Sequence, residues 1–102
     1  MKYILSLILI SEGKGMAKVA AEVLEVRGCG KCSAGHRPGE RLEFTVDRTP
    51  AMCPWALGAL LAPVAVLLHG GSFPWAAENQ PTEWCCPDPT DTVVFRLSRV
   101  ED

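Results

Sequence analysis

"TPAMCPWALGALLAPVAVLLHGG", residues 49–71, decides the fold, because it reads either as a membrane span or as the core helix of a small domain. Ala51 to Leu68 is eighteen residues without a charge, which reaches the lower length limit for a spanning helix. Pro54, Gly58 and Pro63 interrupt that run, so a core helix is the expectation. Pro54 suits a first helical position, where its missing N–H is not needed, and a kink or break is expected before Pro63. Gly70 and Gly71 then end the helix.

The flanking segments carry a different period. In "RLEFTV", Leu42, Phe44 and Val46 alternate with Arg41, Glu43 and Thr45, as a half-buried strand requires. "TVVFRLSRV" repeats the pattern, with Val93, Phe95 and Leu97 facing in and Arg96 and Ser98 facing out. "AKVAAEVLEV", Ala17 to Val26, mixes helical and strand signals and is read as a strand. "SFPWAAENQPTEWCCPDPTD" is rich in turn formers and reads as an ordered loop, whose Phe73, Trp75 and Trp84 pack onto the core. The expected fold class is α+β: a small, mainly antiparallel β-sheet with one central helix and a long ordered loop.

Size and charge bound the function. A chain of 102 residues supports one core. Its 10 basic and 12 acidic residues are scattered, so no phosphate-binding footprint is visible and nucleic acid is not an expected partner. The opening "MKYILSLILI" lacks a small-residue cleavage site before "SEGKGMAKV" and reads as a buried strand rather than a signal peptide. An odd count of five cysteines, with Cys85 and Cys86 adjacent, fits a paired secreted framework poorly, so reduced thiols in a cytoplasm are expected.

"GCGKCSAGH", residues 28–36, sets Cys29 and Cys32 at C-x2-C spacing, with Gly28 and Gly30 permitting the turn that aims two thiolates at one ion. His36 follows closely enough to offer a nitrogen. Cys53 stands at the expected N-cap before Pro54, where free backbone N–H groups and the helix dipole favour thiolate. Cys86 opens "CPDPTD", a turn that feeds the last strand, whereas Cys85 must point to the opposite side. His69 reads as a helix-end residue and Arg37 and Arg41 as a solvated face. "FPW" at Phe73 to Trp75 reads first as a core cover and second as an interaction patch.

The strings "CSAGHRPG", which has the form C-x2-G-H-x2-G, "CPWAL", "GGSFPW" and "CPDP" with "VVFRL" occur in that order. Together they resemble an uncharacterised family of small prokaryotic proteins of about this length, found in many anaerobes. The resemblance runs from about Met16 to the C-terminus. It implies a shared fold, recurrence of Cys32, His36, Cys53 and Cys86, and no known reaction, with Cys29 and Cys85 as additions of this chain. Because similar proteins start near Met16, residues 1–15 are read as an N-terminal extension, with Met16 as an alternative start, and residues 16–102 as a single α+β domain.

Two functions follow. The first is a small non-enzymatic metal-binding module that stabilises the domain and presents a surface to a protein partner. Its ligands to zinc or iron are Cys32, His36, Cys53 and Cys86, with Cys29 as the alternative ligand. The second is a thiol-based redox protein or enzyme that uses Cys53 with Cys32 or Cys86. The metal reading predicts about one equivalent of metal in protein purified without added metal, and thiols that titrate only after chelation; metal-free protein with one rapidly alkylated cysteine contradicts it.

Overall fold

The computed structural model describes residues 17–77 and 80–100. Residues 1–16, including the apolar run read as a strand and the extension with its alternative start, lie outside the described residues. Four strands and one helix follow in chain order: β1 (Lys18–Val26), β2 (Arg41–Thr45), α1 (Pro54–Leu68), β3 (Thr82–Cys85) and β4 (Val93–Val100). The sheet order is β2-β1-β4-β3, and every neighbouring pair is antiparallel. The chain is thus the expected α+β domain, and among the described residues no helix is long and apolar enough to cross a membrane.

Alternation builds one buried face. Val19, Ala21 and Val23 of β1, Leu42 and Phe44 of β2, and Val93, Phe95 and Leu97 of β4 point to the same side and form one cluster. α1 covers this face with Ala56, Leu60, Pro63, Val64 and Leu67, spaced to lie along one side of a helix. Burial of Leu60 and Val64 contributes about 1.5–3 kcal/mol each. On the opposite side of the sheet, Glu22 faces Arg96 across β1 and β4 at 3.7 Å, half in solvent, a pair worth at most about 1 kcal/mol.

The helix runs unbroken through Pro63. Proline removes one ladder hydrogen bond, a cost of about 3 kcal/mol in an open helix. Here Pro63 is buried on the same side of the helix as Leu60 and Val64, so packing holds the helix together. Arg99 of β4 secures the other end: its guanidinium donates to the Leu67 carbonyl at 3.1 Å and to the Gly71 carbonyl at 2.8 Å. A cation at a helix C-terminus satisfies orphan carbonyls and opposes the helix dipole.

Three details differ from the sequence reading. The segment expected to be all loop contains β3, a four-residue edge strand that pairs with β4 through Thr82↔Leu97 and Trp84↔Phe95. Val46, expected to face in, is exposed because β2 ends at Thr45 and the chain turns there. Phe73 and Trp84 do pack on the core, but Trp75 is exposed and stacks on Phe73 with ring centroids 5.1 Å apart.

Beyond β1 the chain turns at Gly28, whose φ is +74°. A Cβ there would lie 2.2 Å from the Thr90 carbonyl oxygen and 2.4 Å from Asp91 Oδ1. Gly30, with a φ of +83°, faces open space. Gly30→Ala is therefore expected to cost about 1–2 kcal/mol for the left-handed backbone alone, and Gly28→Ala distinctly more. Urea unfolding of the two variants checks this; equal losses would contradict the close approach.

Candidate functional site

The site lies where the loop between β1 and β2 meets the start of α1. Backbone pairing fixes Glu40 first. Val23 N–H donates to the Glu40 carbonyl at 2.9 Å and Gly39 N–H to the Val23 carbonyl at 2.9 Å, so the β1–β2 ladder begins ahead of Arg41, the first residue of β2. Two turns then fold the loop back, closed by Gly35 N–H to the Cys32 carbonyl at 2.9 Å and by Glu40 N–H to the Arg37 carbonyl at 3.1 Å. These turns carry His36 inward. Its ring is buried and meets Phe95 edge-on, with centroids 6.1 Å apart.

A buried imidazole must satisfy both nitrogens or lose about 1–3 kcal/mol per orphaned group. Cys53 N–H donates to His36 Nε2 at 3.2 Å. A backbone N–H can only donate, so Nε2 holds the lone pair and the neutral ring carries its proton on Nδ1. That proton is donated to Glu40 Oε1, 2.7 Å away. Glu40, His36 and Cys53 thus form a chain of oriented groups that crosses from the sheet to the helix.

Cys53 is the N-cap of α1, as its place before Pro54 predicts, and no side-chain capping bond is made there. Its thiol is half-buried and free, beside the positive end of the helix dipole. Cys32 is also half-buried and packs, like Cys53, against the core cluster. It lines a cavity of about 410 Å³ together with Gly30, Lys31, Gly35, His36 and Arg37.

Cys86 belongs to the buried core itself, and its Sγ accepts the Val93 N–H at 3.3 Å. The turn from Asp88 to Asp91 holds it there, with the Thr90 and Asp91 N–H groups donating to Asp88 Oδ1 at 2.9 and 3.2 Å. Cys85 points away and is exposed, as alternation along β3 requires. Cys29 is exposed, with its N–H donating to Asp91 Oδ1 at 3.0 Å.

The fold therefore brings His36 and Cys53 into direct contact, sets Cys32 beside His36 at one cavity, and builds Cys86 into the core under the same sheet face. A closed tetrahedral metal site needs four donors aimed at one point. Among the described residues no group of three or more His, Cys, Asp or Glu side chains is placed to hold a metal ion, and both ring nitrogens of His36 are engaged within the protein. Glu40 is the site residue that sequence reasoning missed. The signal was present: a carboxylate four residues after the histidine, one residue past Gly39, at the start of a strand.

No family model, curated protein or solved structure matches the chain.

The hydrogen-bond chain predicts one tautomer. Long-range proton–nitrogen NMR of the folded protein at neutral pH should show His36 protonated at Nδ1 and bare at Nε2. Protonation at Nε2 would contradict the bond from Cys53.

Proposed function

We propose that the protein is a thiol-based redox protein in which Cys53 is the reactive sulfur and Cys32 its resolving partner. The observation that carries this reading is the hydrogen bond from the backbone N–H of Cys53, whose free thiol stands at a helix N-terminus, to a histidine held by a carboxylate. A nucleophile, a base within reach and a third group that orients the base are the working parts of an activated thiol. The proton released from sulfur goes to Nε2, the ring nitrogen opposite Glu40. The Glu40 carboxylate then stabilises the imidazolium through Nδ1–H. The transfer deprives Cys53 N–H of its acceptor, a loss of about 1 kcal/mol, which the new thiolate–imidazolium contact offsets.

The reaction balances as thiol–disulfide exchange. The Cys53 thiolate attacks one sulfur of an external disulfide, forming a mixed disulfide and expelling the first thiolate. Cys32, as thiolate, attacks Cys53 Sγ and expels the second. Two electrons and two protons pass from the cysteine pair to the external disulfide, which leaves as two thiols, and Cys32 and Cys53 remain joined. Cys32 is preferred to Cys86 as the resolving sulfur because it lines the cavity shared with His36, whereas Cys86 Sγ is buried and serves as a backbone acceptor.

The reading is tested by alkylation kinetics followed by peptide mass mapping. At neutral pH, Cys53 should be modified at least about tenfold faster than exposed Cys29 and Cys85, despite being less accessible. His36→Asn should remove most of that advantage, while Cys32→Ser leaves it. Modification ordered simply by exposure would overturn the proposal.

A further inference from the structure

The cavity lined by Cys32 and His36 has a charge of its own. Lys31 and Arg37 are both exposed and line it together with Cys32 and His36. Among the described residues neither cation is in an ion pair: Arg27, Arg41 and Arg96 take Glu25, Glu43 and Glu22 as partners. The acidic groups around this loop are committed elsewhere. Glu40 is bonded to the His36 ring, and Asp91 to the Cys29 N–H on the far side of the Gly28 turn. A volume of about 410 Å³ lies within the range of small-molecule sites.

Resting on the thiol reading, we infer that the external disulfide is a small anionic one, carrying carboxylates that Lys31 and Arg37 hold while its sulfur–sulfur bond meets the reactive pair. Two unpaired cations at the mouth raise the local concentration of an anion and steer its approach. The same charges favour the leaving group, because the expelled half departs as a thiolate. They disfavour a cationic disulfide at both steps. Arg37 also presents a planar fork suited to a carboxylate, which Lys31 does not. The site thus selects by charge, at a position separate from the sulfur chemistry.

Three symmetrical disulfides of similar size separate the possibilities: 3,3'-dithiodipropionate, 2-hydroxyethyl disulfide and cystamine, which are anionic, neutral and cationic. Formation of the Cys32–Cys53 disulfide in the full chain is followed by mass spectrometry, and each rate is divided by that of a free small thiol with the same reagent. The expected order is anionic, neutral, cationic, with about a tenfold span at low ionic strength that shrinks as salt screens the cations. Lys31→Gln with Arg37→Gln, both surface changes, should flatten the order by slowing the anionic reagent most, the neutral one less and the cationic one least. If the disulfide forms with all three at equal normalised rates, or fastest with cystamine, the substrate class is wrong and the thiol reading stands. If none of the three oxidises the pair, both fall together.

Discussion

One hydrogen bond joins the two halves of this molecule's chemistry: Cys53 N–H to His36 Nε2. It ties the β1–β2 loop to the first turn of α1, and it fixes which nitrogen of a buried ring bears the proton. Everything else at the site is set by what that bond demands. Nδ1 needs an acceptor, and Glu40 supplies one because the sheet ladder extends through Gly39 and Glu40 to Val23. The ring needs a wall, and Phe95 supplies it from the middle of β4. Cys53 needs a fixed backbone, and the Pro54 ring supplies it by holding the preceding residue out of the helical region.

Among the described residues no group of three or more of these donors is placed to hold one metal ion. His36 is held at both ring nitrogens. Cys86 is held by the turn that feeds β4, and its sulfur accepts a backbone N–H inside the core. Cys32 is left at the cavity, half in reach of solvent.

Much of the architecture was legible in the residues. Leu42 and Phe44, and Val93, Phe95 and Leu97, show the strand period directly, and Pro54 marks the helix start to the residue. What was hidden is what depends on tertiary partners. β3 is only Thr82 to Cys85 between two prolines, too short for a period to declare itself, and it exists because β4 offers an unpaired edge. Pro63 reads as a break, yet burial against the sheet outweighs the lost ladder bond. At the site, the nearness of His36 to Cys53 spans seventeen residues and depends on how the loop folds back. Glu40 reads as an ordinary strand-edge carboxylate until the ring it serves is placed beside it.

The account rests on Cys32 and Cys53 being a functional pair, and the most direct test is the map of the disulfide formed when fully reduced protein is equilibrated in a thiol–disulfide buffer of increasing oxidising strength. A Cys32–Cys53 bond is predicted to appear first, in a single two-electron step, with Cys29, Cys85 and Cys86 still reduced. A first bond that joins Cys29 to Cys85 or Cys86, or oxidation with no preferred pair, would contradict it.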